Sequence, residues 1–164
     1  MTRFALPLVV ALAVGACTSV APPQTAAPAP VRQPASLAAA LSVEQRWLES
    51  WFRGTPVTIA QRDDGALAIE VPSEFCFDPG RSSVKPALAA VLDKVAESLR
   101  RRPTAHLVLL AAPGDGSGAT PLALRRASQV HAHLRRRGVA ATRLGEPAAS
   151  RAAAVQLHIG APPP

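Results

Sequence analysis

The chain has 164 residues, a formal net charge of +7, 4% aromatic residues and no tyrosine. This length holds one domain with a sizeable core. The scarcity of aromatics excludes the base-stacking platforms of single-stranded nucleic-acid binders, and two cysteines leave no disulfide framework.

Arg3 precedes an apolar stretch from Phe4 to Val14, which runs into Gly15-Ala16-Cys17. The stretch has the length of a secretory-signal core and falls short of the roughly 20 residues that span a bilayer. The layout resembles a bacterial lipoprotein signal. It implies removal of residues 1–16 and lipidation of Cys17, with palmitate among the chains. Several chains on one residue suit the physics, because a single acyl chain holds a membrane only marginally. Thr18 follows Cys17 where an Asp would imply inner-membrane retention, so the expected address is the periplasmic face of the outer membrane. An ordinary secretory signal with a chance cysteine is the alternative. Within residues 17–36, Pro22, Pro23, Pro28, Pro30 and Pro34 lie among small and polar residues, the composition of an extended linker.

Residues 37–65 predict a helix and a first hairpin strand. Leu37, Leu41, Leu48, Trp51 and Phe52 recur at helical spacing, Gly54 stops the helix, and Trp47 lies off the main stripe. Val57–Ala60 and Leu67–Val71 read as strands joined by Asp63-Asp64-Gly65, with Leu67, Ile69 and Val71 on one face. A helix is predicted over 82–102, capped by Ser82 or Ser83, with Pro86 in its first turn and Pro103 beyond its end. Its apolar stripe is Leu88, Val91, Leu92, Val95 and Leu99. Leu107–Leu110, apolar without alternation, predicts a strand buried on both faces. A loop over Pro113–Gly118 leads to a helix over 121–137, with Ala123, Ala127, Val130 and Leu134 inward and Gly138 ending it. Val155, Leu157 and Ile159 alternate in a last strand, and residues 161–164 form a proline tail. The order predicts an α+β fold, with helices on one face of a small mixed sheet.

The arginines cluster at Arg100-Arg101-Arg102, Arg125-Arg126 and Arg135-Arg136-Arg137. The two triplets suit the last turns of helices. Alternatively, they attract anionic envelope polymers or lipid head groups. DNA binding would explain them in a cytoplasmic protein, and the lipoprotein signal argues against it. Gly114, Gly116 and Gly118 lack the Lys-Ser/Thr of a nucleotide loop and read as a turn. His131 and His133, two apart on a helix, point to different sides, and His106 and His158 stand alone, so no metal site is expected. Cys76 reads as a buried small hydrophobe. Ser117 has no nucleophile-elbow context, and the close pair Glu74 and Asp78 falls in a loop. No catalytic constellation and no cofactor are predicted.

The run from Val71 to Pro86 resembles the OmpA-like C-terminal domain family, which includes the peptidoglycan-associated lipoproteins. Phe77-Asp78, Ser82-Ser83 and Val84-Lys85-Pro86 match in order and spacing. Leu122 to Val130 resembles the family's Leu-Ser-x-x-Arg-Ala-x-x-Val helix, Leu134 to Leu144 its helix end and following segment, and Ser150 to Ile159 its closing strand. The resemblance covers residues 66–160 and implies a βαβαβ-type domain, preceded here by the extra helix and hairpin strand. It implies non-covalent binding of the diaminopimelate-bearing stem peptide of peptidoglycan. Arg126 occupies the position of the family arginine that holds the ligand's carboxylate, and Asp115 stands one place beyond the aspartate that holds its ammonium. The chain departs from the family at Ala111-Ala112-Pro113-Gly114, where the family has Gly-His-Thr-Asp, and at Ala154-Val155-Gln156, where it has Asn-Arg-Arg. The expected protein is a non-enzymatic lipoprotein that tethers outer membrane to cell wall. The alternative is a scaffold that has lost this ligand and serves as a protein-interaction part of an envelope or secretion assembly, with Trp47 and Trp51 on its partner surface.

Overall fold

The computed structural model describes residues 33–116 and 120–162. Cys17, the signal and most of the linker lie outside the described residues, as do Ser117, Gly118 and the end of the tail. The elements are α1 (Gln33–Phe52), β1 (Thr58–Gln61), β2 (Leu67–Pro72), α2 (Pro86–Arg101), β3 (His106–Pro113), α3 (Pro121–Arg136), β4 (Pro147–Ser150) and β5 (Ala154–Gly160). The strands form one sheet in the order β1-β2-β5-β3-β4, antiparallel except for the β3–β4 pair. β2 and β3 therefore point the same way, and both end where α2 and α3 begin.

The α+β class, the mixed sheet and the extra N-terminal helix are as the sequence predicts. β2 alternates strictly, so Leu67, Ile69 and Val71 enter the core with Val155, Leu157 and Ile159 of β5. α2 contributes Leu88, Leu92, Val95 and Leu99, and α3 contributes Ala127, Val130 and Leu134. Fully burying an aliphatic side chain of this size is worth about 1.5–3 kcal/mol. The buried core residues among the described ones run from Leu41 to Ile159, so the compact unit Val31–Pro164 holds its own core.

Several local expectations are corrected. β3 is not buried on both faces: Val108 is 39% exposed and Leu109 half-buried. Helices cover one face of the sheet only, β4 pairs β3 only from Leu110 onward, and an irregularity between Leu107 and Leu109 breaks the alternation. α2 starts at Pro86 with Lys85 as its N-cap and no side-chain cap. Ser82 and Ser83 instead belong to a loop that is closed by Lys85 N–H donating to Cys76 O at 2.9 Å. β4 was not foreseen, since Pro-Ala-Ala-Ser carries no strand preference; its pairing with β3 makes it a strand. On α1, Trp51 is 55% exposed and Trp47 half-buried, the reverse of the stripe reading. Lys94 Nζ stands 3.6 Å from the Trp51 ring centre and the Arg101 guanidinium 3.6 Å from that of Trp47, cation–π contacts that suit half-wet rings.

Glu44 is the buried polar residue of the α1 stripe. Its carboxylate accepts from Ser98 Oγ at 2.9 Å, Arg101 Nη2 at 2.7 Å and Arg102 Nε at 3.0 Å. Burial alone would raise its pKa, and these donors bring it below the ordinary value. The network holds α1 in register against the end of α2.

Candidate functional site

The loops after β2 and β3, the turn between β4 and β5 and Arg126 of α3 enclose a cleft of about 640 Å³. Its wall includes Glu74, Phe77, Lys85, Asp115, Arg126 and Arg151. A hollow of similar volume lies between the end of α1 and β1, beside Arg46 and Arg53. It lacks a buried charged group, whereas the first cleft is built on one.

That group is Arg126. Ala123, Arg126, Ala127, Val130 and Leu134 form the inward stripe of α3, so helix geometry sends an arginine toward the core, and its side chain is 2% exposed. Nε donates to Arg81 O at 2.8 Å, Nη1 to Pro113 O at 3.0 Å, and Nη2 to Asp78 O at 3.1 Å and Asp115 Oδ1 at 2.5 Å. The guanidinium carbon also lies 4.8 Å from the centre of the Phe77 ring. One side chain thus ties α3 to the loop after β2 and to the end of β3. Four of its five N–H donors are engaged, and the remaining one is on Nη1.

Asp115 is held from two sides. Oδ2 accepts from Gly80 N–H at 2.5 Å, and Oδ1 accepts from Arg126. The Gly80 N–H first and Arg126 second bring its pKa below the ordinary aspartate value. Gly80 has φ +68° with open space around it, a left-handed conformation that glycine adopts without strain. The Asp115 side chain keeps 43% of its surface exposed, so it offers a fixed anion to the cleft. Lys85 Nζ donates to Glu74 O at 3.0 Å and lies 3.5 Å from Asp78 Oδ1. Arg151, on the turn between β4 and β5, is exposed.

The structure therefore brings Arg126 and Asp115 together, with Asp115 in direct contact with the arginine. The sequence reading missed Gly80 as a donor and Arg151 as a rim cation. Arg126's burial had a signal: it falls three residues after Ala123 on the inward stripe. Cys76 is buried, its Sγ donating toward Val71 O at 3.4 Å and Pro72 O at 3.2 Å, and burial pushes the thiol up to about 12. It is thus not a thiolate nucleophile at neutral pH. Where the family resemblance places Asn-Arg-Arg, Gln156 instead donates to Glu70 at 2.8 Å and accepts from Ser150 at 2.9 Å. Among the described residues no group of three or more His, Cys, Asp or Glu is arranged to hold a metal ion, and no helix is long and apolar enough to cross a membrane.

Solved structures share this architecture. A MotB-like protein from Desulfovibrio vulgaris superposes with a TM-score of 0.65 at 17% identity, over 80% of this chain and 98% of the other. The periplasmic domain of Helicobacter pylori MotB does so with a TM-score of 0.54 at 15% identity, over 68% and 83%. The cell wall anchor of the T6SS from Pseudomonas aeruginosa gives 0.52 at 19% identity, over 77% and 97%. The likeness is one of fold. No family model and no curated protein matches the chain.

Proposed function

We propose that this protein is a non-enzymatic, lipid-anchored component of the outer membrane whose periplasmic domain binds peptidoglycan without a covalent bond. The observation that carries the reading is the cleft pairing of buried Arg126 with partly exposed Asp115. A stem-peptide diaminopimelate end is a zwitterion, and this pair offers one fixed anion and one guanidinium. Asp115 takes the ammonium through the lone pairs that Gly80 and Arg126 leave free. The remaining Nη1 hydrogen of Arg126 takes the carboxylate. The fold shared with a protein described as a cell wall anchor supports the reading, as does the motif resemblance around Phe77-Asp78 and Lys85-Pro86.

Sedimentation of residues 31–164 with purified sacculi tests it. The wild type co-sediments, while Asp115→Asn and Arg126→Lys each bind about tenfold more weakly, the scale of one charge-assisted contact. A wild type that stays in the supernatant removes the wall from the account. Lipidation of Cys17 is tested separately by the intact mass of the membrane-extracted protein, which carries the added acyl chains.

A second reading keeps the fold and assigns the domain to protein contacts in an envelope assembly. It draws on the engagement of most Arg126 donors within the protein and on the exposure of Trp51. A photocrosslinker beside Trp47 that repeatedly traps one protein in cells, from a domain that ignores sacculi, would favour it.

A further inference from the structure

The end of the domain opposite the cleft is rich in arginine. β2 and β3 run toward the cleft, so their first residues, and the last turns of α2 and α3, lie at the other end. Arg100 Nη1 donates to Arg137 O at 2.7 Å, which brings the two arginine triplets together. Arg143 closes the group from below. Its guanidinium donates to Leu99 O and Arg102 O, both at 2.7 Å, and to Ala105 O.

The carboxylates at this end are largely engaged. Glu44 is buried against Arg101 and Arg102, and Glu97 pairs with Arg101 and Lys94. Asp93 meets His133 and Arg137, and Asp64 pairs with Arg62 in the β1–β2 turn beside exposed Asp63. Arg100, Arg135 and Arg136 are exposed and have no carboxylate within ion-pair distance among the described residues. Helix dipoles favour cations here, but they do not require three exposed arginines with no acidic partner.

The polypeptide enters the domain at the same end. Gln61 Nε2 donates to Ala38 O at 3.0 Å, and a Cβ at Gly65 would stand 2.9 Å from Ala38 Cβ. The first turns of α1 are thereby fixed on the β1–β2 turn, and the covalent path back to Cys17 leaves from there.

We infer that this arginine-rich end is a docking surface for anionic phospholipid head groups, which turns the domain so that its cleft faces away from the membrane. The inference rests on the proposed lipid anchor for its location and on charge complementarity for its occupant. Basic residues near an anionic bilayer each contribute about fivefold in affinity, so Arg100, Arg135 and Arg136 together supply on the order of a hundredfold. The attraction is screened by salt, with a Debye length of about 8 Å at physiological ionic strength.

Residues 31–164, which contain the whole core and no Cys17, separate the surface from the anchor. Co-sedimentation with phosphatidylcholine vesicles containing 30% phosphatidylglycerol should pellet this domain, and pure phosphatidylcholine vesicles should not. Binding should fall steeply in 0.5 M NaCl. The triple variant Arg100→Gln, Arg135→Gln, Arg136→Gln should lose on the order of a hundredfold while keeping a cooperative melt and the wild-type circular dichroism spectrum. Arg135→Gln with Arg136→Gln, which leaves the Arg100 bond to Arg137 O in place, should account for most of that loss. Arg151→Gln, at the cleft end, should bind as the wild type does. Equal binding to both vesicles, an unaffected triple variant, or binding to duplex DNA but not to vesicles overturns the inference. The outcome does not depend on acylation, which the intact mass reads independently.

Discussion

The two ends of the sheet handle positive charge in opposite ways. At the cleft end, Arg126 is withdrawn from water, and three backbone carbonyls and Asp115 surround it. At the far end, Arg100, Arg135 and Arg136 remain in solvent, while the buried charge is an anion, Glu44. A buried arginine among loop carbonyls supports the shape of those loops, because one side chain bonds Asp78 O, Arg81 O and the buried Pro113 O at once. A buried glutamate met by long arginines supports less, because Arg101 and Arg102 are each about a third exposed and can return to water. The same residue type thus builds a site at one end and leaves a charged surface at the other.

The largest effect is expected from Arg126→Ala. It removes the cation and takes away the donor that meets the Arg81 and Pro113 carbonyls, while Asp78 O keeps its bond from Arg81 N–H at 3.0 Å, a loss of about 3 kcal/mol in denaturant unfolding. Glu44→Ala should cost about 2 kcal/mol by the same measurement, since Arg101 and Arg102 rehydrate and only the buried Ser98 hydroxyl loses its partner. If Glu44→Ala proves as costly as Arg126→Ala, the contrast between the two ends fails. Thr120→Ala should cost about 1 kcal/mol. Its Oγ1 accepts from Ala123 N–H at 3.1 Å and caps α3 just ahead of Arg126. Loss of sacculus binding in this variant would show that the cleft depends on the position of the helix start.

The smallest effect is a pH dependence. The pKa values of Asp115 and Glu44 are both lowered in the folded protein. A lowered carboxylate pKa stabilises the fold above the unfolded value, and that contribution is lost as pH falls through the folded value. Stability should therefore be level near neutrality and decline below about pH 4. Asp115→Asn should flatten part of that acid limb, measured by thermal melts from pH 2 to 7. An unchanged acid limb would mean that Asp115 is not held at the cleft as described.

Much of the fold was legible because periodicity survives folding. The stripe Leu88–Leu99 and the alternation Leu67–Ile69–Val71 each specify a face before any partner is known. The failures share a cause. Val108 and Leu109 are apolar because they belong to a sheet, yet only the layer arrangement says that one face lacks helices. Ser82 and Ser83 have cap chemistry, yet the loop bond from Lys85 to Cys76 moves the helix start to Pro86. Trp47 packs against the core and Trp51 stands in solvent, each with a cation of α2 over its ring, and the spacing along α1 alone does not show which side α2 occupies.

By itself, the sequence determined the α+β class, the helix faces and the signal-like run ending in Cys17. These follow from local period and composition, which act along the chain. Arg126 and Asp115 emerged as candidates only through the resemblance to a known family. Tertiary structure alone decided that Asp115 bonds to Arg126 and Gly80, that Glu44 is buried against Ser98, Arg101 and Arg102, and that both arginine triplets share the end where the chain enters. Those facts depend on contacts between residues 11 to 58 positions apart, which local pattern does not encode.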